Sequence, residues 1–200
     1  MIGCSRMPRP REFDVDKALD RAMRVFWEHG YHATSVQDLM EAAGVQKQSL
    51  YCAFGDKRSL FLKCLNLYTK QILLAIQKML DDADSPLDGI ARVMRFVSQA
   101  PDSKNCPPGC LMANTALELG LGDPGVADEI RRMFRGIEKM LGAAVRKAQV
   151  QGEISKKLDC IAVGQSLVNT ISGIRILEKT GASKRQVRTV VETALAAIQR

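Results

Sequence analysis

The chain has 200 residues, of which 29 are lysine or arginine and 22 are aspartate or glutamate, so its formal net charge is +7. This length accommodates one compact domain or two small ones, and the positive charge favours a polyanionic partner. Residues 1–70 carry 11 basic and 8 acidic side chains, however, which is only +3 of that charge. Net charge alone therefore does not identify which part of the chain would bind a polyanion.

The composition also argues against several classes of protein. No apolar run approaches the length of a membrane span, and the N-terminus lacks the apolar segment of a signal peptide, so we expect a soluble, cytoplasmic protein with no membrane partner. The chain contains no phosphate-binding glycine loop, no HExxH motif and no nucleophile elbow, and its histidines are His29 and His32. We therefore expect neither an enzyme nor a bound cofactor or metal.

The first feature in chain order is a basic segment. Arg6, Arg9 and Arg11 alternate with Pro8 and Pro10, and these prolines keep the backbone extended and prevent a helix. A mobile arm of this kind can follow phosphates or enter a narrow minor groove, so Arg9 and Arg11 are candidate DNA contacts. The alternative is a charged tail that contacts nothing.

Three helices are predicted next, the last two short and joined by a tight turn. Asp14 caps the first, which ends before Gly30. The segment Thr34 to Gln37 reads TSVQ and fits a capping box in which the glutamine reaches back to the capping backbone, so the second helix begins near position 36. It stops at Gly44, where glycine adopts a positive φ without a Cβ penalty. The third helix is expected from Gln46 to about Ala53.

The third helix buries Leu50 and Phe54 and exposes a polar, partly cationic face. A helix in the major groove reads base edges with amide and cationic side chains near its N-terminus, whereas the alternative is an ordinary solvated surface. Thr34 and Ser35 precede the second helix, and Lys57 begins a predicted fourth helix, so all three could hold phosphates, because helix N-termini favour anions. Capping alone would also explain Thr34 and Ser35. On the third helix itself the candidate DNA contacts are Gln46, Lys47, Gln48, Ser49 and Tyr51.

This region resembles the helix-turn-helix of TetR-type transcriptional regulators over roughly the first third of the chain. The resemblance implies a repressor that binds a palindromic double-stranded DNA operator as a homodimer, with Tyr51 giving its hydroxyl to a phosphate. Cys52 and Ala53 stand where many members of the family carry larger polar or aromatic side chains, which implies fewer contacts there. The residues that carry the resemblance are Phe13, Asp14, Ala18, Leu19, Phe26, Gly30, Tyr31, Ala33, Thr34, Ser35, Ala43, Gly44, Val45, Ser49, Leu50, Tyr51, Phe54, Lys57, Leu60 and Phe61.

The rest of the chain is also predicted to be helical. Every periodic segment has a helical period and none alternates like a strand, so the fold should be all-α with about nine helices. Residues 1–56 are expected to form the arm and a three-helix DNA-binding domain, and residues 57–80 a linking helix shared by two domains. Residues 81–200 are expected to form a helical bundle for ligand binding and dimerisation.

The bundle is predicted to contain a cavity for an unidentified small molecule. Arg175, set in an otherwise apolar stretch, would pair with an anionic ligand, form a salt bridge to Glu178 or reach solvent. The alternative is a packed core with no cavity, because apolar stripes at helical spacing are usually core. Candidate wall residues are the apolar Met94, Leu111, Met112, Phe134, Ile137 and Val168 and the polar Asn114, Thr115, Gln165 and Asn169.

The last two helices are predicted to form the dimer interface. In the final helix apolar residues recur at spacings of four, three and four, a narrow seam of the kind used between packed helices. Periodicity alone leaves open whether this seam faces a second copy or the chain's own core, and the resemblance favours the dimer. The predicted interface residues are Val168, Ile171, Gly173, Val187, Val191, Ala194 and Ile198.

Cys106 and Cys110 suggest a different kind of sensor. Two thiols at this spacing could form a disulfide, trap an electrophile or supply half of a metal site. A zinc site needs about four ligands, and buried, inert cysteine is the default interpretation. The predicted function is therefore a DNA-binding repressor released by a ligand, and the alternatives are thiol sensing or DNA binding without a ligand.

Overall fold

The computed structural model describes residues 13–98, 107 and 109–199. Within these ranges every regular element is a helix, and the predicted all-α fold is confirmed. A short 3-10 turn, Gly120–Gly122, precedes the seventh helix. The helices are α1 (Val15–His29), α2 (Val36–Ala43), α3 (Lys47–Phe54), α4 (Lys57–Asp81), α5 (Pro86–Ser98), α6 (Leu111–Glu118), α7 (Pro124–Val150), α8 (Cys160–Lys179) and α9 (Lys184–Gln199).

The first helices begin and end close to the predicted residues. α1 starts after Asp14, whose carboxylate accepts hydrogen bonds from two first-turn amides at 3.1 Å each. α2 ends at Gly44, which has φ 70° and ψ 33°, the left-handed conformation expected from the sequence. α3 begins at Lys47, because Gln46 is its N-cap and has an extended backbone.

The capping box of α2 involves different residues from those predicted. Ser35 is the N-cap: its hydroxyl accepts the amide of Asp38 at 3.1 Å, and the Asp38 carboxylate accepts the Ser35 amide at 2.7 Å. Gln37 instead bonds to a glutamate one turn further along α2. Thr34 is buried, and its hydroxyl donates to the carbonyl of Gly30 at 2.6 Å. The prediction was one residue out because the overlapping segments TSVQ and SVQD both offer a hydroxyl followed by an acceptor.

An aromatic and aliphatic core holds α1, α2 and α3 against the start of α4. The rings of Phe26 and Phe61 meet edge to face with 4.8 Å between their centroids, and Tyr31 lies 4.9 Å from Phe61. Leu39 and Leu50 are fully buried beside them. Burial of each large apolar side chain contributes on the order of 1.5 to 3 kcal/mol, so apolar packing sets the orientation of α3. The outward side chains of α3 lie outside this core.

The longer helices form the bundle that carries this unit. α4 contacts α1 and α3 as well as α5 and α7, so a single helix belongs to both halves of the chain. α7 and α8 can approach closely because glycines, which have no side chain, lie where they meet. A Cβ at Gly164 would lie 2.8 Å from the carbonyl oxygen of Glu138, and one at Gly142 would lie 3.1 Å from the carbonyl oxygen of Cys160. α9 then packs on α5 and α8.

α8 is long and apolar enough, by length and composition alone, to cross a membrane, with a mean hydropathy of 1.3 in its most apolar window. The sequence predicts no membrane span, because polar residues such as Gln165 and Asn169 interrupt the apolar residues of this helix. One such helix is weak evidence for a span, because core helices of soluble proteins pass the same test. α8 packs against α7 and α9, and only 22% of the window is buried, which leaves it a large uncharged outward side.

Candidate nucleic-acid interface and ligand cavity

The outward face of α3 is the candidate DNA-reading surface. Leu50 and Phe54 anchor the helix in the core, and the opposite side is exposed, as predicted. Tyr51 is half-buried, and the Nζ atom of Lys47 lies 5.9 Å from its ring centroid. The exposed side chains on and just before the helix are Gln46, Lys47, Gln48 and Ser49.

The structure changes the predicted phosphate contacts at α2. Thr34 is 1% exposed and its hydroxyl is bonded to Gly30, so Thr34 is a structural residue and not a DNA contact. Ser35 is exposed; its hydroxyl accepts the cap bond and can still donate its proton. Lys57 is half-buried, with Nζ 4.5 Å from the ring centroid of Tyr31, a cation–π contact that holds the ammonium near the α1–α2 turn.

The remaining predicted phosphate sites gain no support. Asp56 caps α4 by accepting the Ser59 amide at 2.6 Å. Hydrogen bonds from Ser59 keep the pKa of the Asp56 carboxyl below its ordinary value, so the carboxylate is charged near neutral pH and opposes a second anion at this helix N-terminus. Arg9 and Arg11 lie outside the residues that the structure describes.

Two polar contacts that the sequence did not predict connect the DNA-binding end to the bundle. Arg58, in the first turn of α4, donates to both carboxylate oxygens of Asp123 at 2.6 and 2.7 Å. Asp123 is also the N-cap of α7. Glu118, at the end of α6, contacts the turn between α1 and α2. The partners lie 65 and 87 residues apart in the chain, so no local pattern reveals them.

Protonation of Asp123 is expected to lower the stability of the protein at acid pH. The hydrogen bond from Arg58 lowers the pKa of Asp123 to about 2, whereas an aspartate in an unfolded chain has a pKa of about 4. Its stabilising contribution is therefore complete above about pH 4 and is lost as the pH falls toward 2. Asp123→Asn, which can still cap α7, should lose less thermal stability than the unaltered protein between pH 5 and 2. Melting curves by circular dichroism measure this, and equal losses would contradict it.

A small, partly enclosed cavity of about 50 Å³ lies between α4, α5, α7, α8 and the start of α6. Phe134, Ile137 and Val168 line it, as predicted. Arg175 also lines it and pairs with Glu178 at 2.9 Å, so of the three predicted alternatives for this side chain the salt bridge is the one observed. The other wall residues are Tyr68, Ile72, Ile76, Val93, Phe96, Cys110, Ala113, Met133, Ile171 and Ser172.

The polar side of the cavity is a phenol next to a thiol. The Tyr68 hydroxyl donates to the sulfur of Cys110 at 3.4 Å. Burial, followed by the neighbouring Cys110, raises the pKa of Tyr68, so the phenol stays protonated and remains a donor. The ring of Tyr68 also packs edge to face on Trp27 of α1, with 5.0 Å between centroids. The cavity wall therefore contacts the DNA-binding half directly.

Several predicted wall residues lie elsewhere. Met94, Leu111, Met112 and Thr115 are buried in the packed core without lining the cavity. Asn114 is half-buried, and its side-chain nitrogen has no hydrogen-bond partner among the described residues. The exposed pair Gln165 and Asn169 lines an outer groove instead. Apolar spacing identified the inward side of each helix, but it could not distinguish tight packing from a void, since that depends on residues of four helices at once.

A larger groove, of about 800 Å³, is open to solvent between α7 and the start of α8. Its walls are partly cationic, and Arg146 donates to the sulfur of Cys160 at 3.3 Å. Small-molecule sites usually bury most of the ligand surface. The small cavity is more enclosed than this groove and therefore fits a ligand site better, although the groove is larger. The cationic residues on the groove are Arg135, Lys139, Arg146 and Lys147.

The predicted dimer seam faces the chain's own core, which corrects its placement. Val187, Val191 and Ile198 are buried inside the single chain, and Ala194 is half-buried. On α8, Val168 is buried and Ile171 lines the cavity, so neither lies on the outer surface. Gly173 is exposed with no atom near its Cβ direction, and of the predicted set it is the residue that lies on an open face.

The outward faces of the same two helices carry uncharged side chains, most of them small. Residues three and four apart share a face of a helix, and the exposed positions follow that spacing on both helices. Small, uncharged faces let helices pack closely across an interface. These faces consist of Ala162, Ser166, Asn169, Gly173 and Leu177 on α8 and of Gln186, Thr189, Val190, Thr193, Ala196 and Ala197 on α9.

The thiols in the described part of the chain are free. Cys52 is exposed, Cys160 is half-buried, and Cys64 and Cys110 are buried. Burial raises the pKa of the Cys64 thiol. Cys106 lies outside the described residues, so the predicted Cys106–Cys110 pair is not seen. Among the described residues no cluster of three or more metal-binding side chains occurs.

A helix-turn-helix with an outward polar helix, joined through a shared helix to an all-α bundle, defines a DNA-binding transcriptional regulator. The chain belongs to the TetR family. Residues 18–64 match the family described as bacterial regulatory proteins, tetR family, and residues 86–196 match the tetracyclin repressor-like C-terminal domain.

Individual relatives agree with this assignment. The chain is 31% identical to the HTH-type transcriptional repressor ComR of Escherichia coli (strain K12), over 94% of this chain and 90% of ComR. It is 28% identical to the HTH-type transcriptional regulator YezE of Bacillus subtilis (strain 168), over 96% of this chain and 100% of YezE. A cysteine mutant of the TetR family regulator CifR has been solved with 26bp double-strand operator DNA. Its chain is 31% identical to this one, with a TM-score of 0.84, and the match covers 96% of this chain and 100% of that CifR chain.

Proposed function

We propose that this protein is a repressor that binds a palindromic operator as a homodimer and is released when a small molecule enters the bundle. The observation that carries the proposal is the outward polar face of α3, which Leu50 and Phe54 hold in place and on which residues 46–49 are exposed. The similarity to ComR, named a repressor, and to CifR, solved with operator DNA, supports it. Such a protein would act in the cytoplasm and needs no cofactor.

Base reading is assigned to the start of α3. Gln46, Lys47 and Gln48 carry amide and ammonium groups that can bond N7, O6 or N6 in the major groove. Ser49 and the Tyr51 hydroxyl, further along the helix, would bond phosphates. Together these residues combine sequence readout with positioning on the backbone.

Lys47→Ala and Gln48→Ala should each weaken operator binding by about 1 to 3 kcal/mol where the side chain contacts a base edge. Both positions are exposed, so the melting temperature should stay unchanged. Lys147→Ala, which removes an exposed lysine from the bundle, is the matched control. Affinities for operator and for random DNA measure the effect, and equal losses on both would assign the two side chains to the backbone.

The homodimer would form through the outward faces of α8 and α9. One short recognition helix reads few bases, so two must be held about one helical turn of DNA apart to reach a specific affinity. The faces that include Gly173 and Thr193 carry no charged side chain and lie on the outside of the chain. A partner copy would cover the exposed apolar atoms of Leu177 and Val190, which are 42% and 37% exposed.

Ligand control would operate by expansion of the cavity. The cavity holds about 50 Å³, whereas drug-sized ligands occupy about 300 Å³ or more. A ligand would therefore push its walls apart, and one wall is α4, through Tyr68, Ile72 and Ile76. Because α4 also contacts α1 and α3, this movement would change the separation of the two recognition helices and reduce operator affinity.

A two-stage experiment tests this function. The operator is first selected from random double-stranded DNA, and a palindromic sequence is expected. A compound library is then screened by thermal shift and by the fluorescence of Trp27, the single tryptophan, whose ring packs on the cavity residue Tyr68. A ligand of this site should stabilise the protein and release the operator. If compounds that bind the cavity leave operator affinity unchanged, the protein is a DNA-binding protein without ligand control.

Thiol sensing is the second candidate, favoured by the position of Cys110. Its sulfur lies in the apolar cavity wall and receives the Tyr68 hydroxyl, so a small neutral electrophile that enters would meet it. N-ethylmaleimide is a suitable probe: the sulfur adds to its carbon–carbon double bond, and the thiol proton ends on the adjacent carbon. Release of the operator by the reagent, prevented by Cys110→Ala, would support this candidate. Release that persists in the variant would exclude Cys110.

A further inference from the structure

Glu118 makes a two-pronged contact with the turn between α1 and α2. One carboxylate oxygen accepts the amide of Tyr31 at 2.8 Å, and the other accepts the amide of His32 at 2.7 Å. Hydrogen bonds from amides to an ionised carboxylate are among the stronger ones in proteins. The two amides follow the last turn of α1, where helical bonding has ended. We call this contact the Glu118 clamp.

The turn is shaped to receive the carboxylate. Gly30 has φ +84°, a conformation that L side chains rarely adopt, and a Cβ there would lie 2.7 Å from a carboxylate oxygen of Glu118. The turn is closed on its other side by the Thr34 hydroxyl, which donates to the Gly30 carbonyl. α2 begins directly after this turn, so the clamp fixes the point from which α2 and α3 extend.

The same helix reaches the cavity at its other end. Cys110, the N-cap of α6, and Ala113, in its first turn, both line the cavity. From Ala113 to Glu118 the helix spans about 8 Å, and its inward side is buried. A shift of the cavity wall at Ala113 would therefore move the Glu118 carboxylate with it.

We propose that Glu118 is a positioning residue that holds the helix-turn-helix in the orientation that binds the operator, and that α6 transmits movement of the cavity wall to this clamp. The inference rests on the proposed function, because it names a second contact, besides those of α4, through which the ligand would act. Glu118 contacts backbone amides of its own chain. Its effect is on the orientation of α2 and α3.

The clamp is tested with Glu118→Ala and Glu118→Gln. The alanine variant should speed hydrogen exchange at the amides of Tyr31 and His32 and weaken operator binding about tenfold, because fewer molecules hold the competent orientation. Binding to random DNA should change little. The glutamine variant should be intermediate, since its single side-chain oxygen can keep one of the two bonds.

Glu153→Ala is the matched control, because the Glu153 carboxylate accepts the Leu87 amide at 2.9 Å within the bundle. It should alter stability without altering operator binding or exchange at the turn. If Glu118→Ala leaves operator affinity unchanged, whether or not exchange at the turn increases, the positioning role is wrong. An equal loss of affinity in the Glu153 variant would show a general effect of stability and would also overturn it.

The link from the cavity is tested with Ala113→Leu, which enlarges the α6 wall residue; Ala113→Val is the milder variant if the first does not fold. In the unaltered background it should weaken operator binding, and in the Glu118→Ala background the weakening should be several-fold smaller. Equal weakening in both backgrounds would remove Glu118 from the pathway and leave ligand control standing. If neither wall variant, although folded, weakens operator binding, the relay through α6 is wrong. Ligand control through α4 is then decided by the compound screen, and the positioning role of Glu118 by the exchange experiment.

Discussion

Val191→Glu is expected to unfold the protein. Val191 is completely buried, on the side of α9 that packs against α5 and α8. A glutamate there would place a carboxylate in apolar surroundings, where it must either stay charged without a partner or take up a proton at a raised pKa. An uncompensated buried charge costs about 3 to 5 kcal/mol, a large part of the roughly 5 to 15 kcal/mol that stabilises a typical domain.

Circular dichroism and thermal denaturation measure this effect, and the neighbouring position supplies the control. Val190 is 37% exposed, so Val190→Glu should keep the full helical signal whether or not it disturbs a dimer. A helical Val191→Glu variant with the stability of the unaltered protein would mean that α9 does not pack on its own chain as the structure has it.

The helix-turn-helix could be predicted from the sequence because its signals are local. Gly44 ends α2 by adopting a positive φ, and Leu50 and Phe54 mark the buried side of α3 at helical spacing. The one-residue error at α2 arose because Thr34 and Ser35 can each cap a helix. The bond from Thr34 to Gly30 decides between them, and that bond depends on the fold of the turn.

The seam on α9 shows where periodicity stops being informative. The spacing of Val187, Val191 and Ile198 correctly predicts one apolar stripe on a helix. A stripe that faces its own bundle and one that faces a second copy have the same spacing, so only the positions of α5 and α8 could settle which it is. The outward face of α9 escaped notice because small and hydroxyl side chains such as Thr189 and Ala196 give a weak apolar signal.

The contacts between the two halves of the chain were beyond sequence reasoning for a different reason. Arg58 meets Asp123, and Glu118 meets the amides of the α1–α2 turn, only after the bundle has formed. All of these are ordinary charged side chains or backbone groups. Nothing in the local pattern separates them from solvated surface charges. The cavity has the same origin, since Tyr68, Cys110 and Arg175 come from separate parts of the chain.

Thr193→Glu is expected to separate the proposed homodimer and leave each chain folded. Thr193 lies on the outward, uncharged face of α9. At an interface with two-fold symmetry the same face is used by both copies, so the substitution would bring two carboxylates together as they lose water. The helical signal should persist, because the position is exposed within the chain. Operator affinity should fall by about 100-fold or more, since each recognition helix would then bind its half-site independently.

Sedimentation at several protein concentrations, with circular dichroism as a check on folding, measures the state of assembly. Arg188→Glu supplies a control, because Arg188 is exposed on the charged side of the same helix and its reversal should leave the dimer intact. A Thr193→Glu variant that sediments as a dimer and binds the operator as tightly as the unaltered protein would show that the copies meet through another surface. In that case the exposed apolar atoms of Leu177 and Val190 would need a different partner, and the spacing of the two recognition helices would have to be set elsewhere in the bundle.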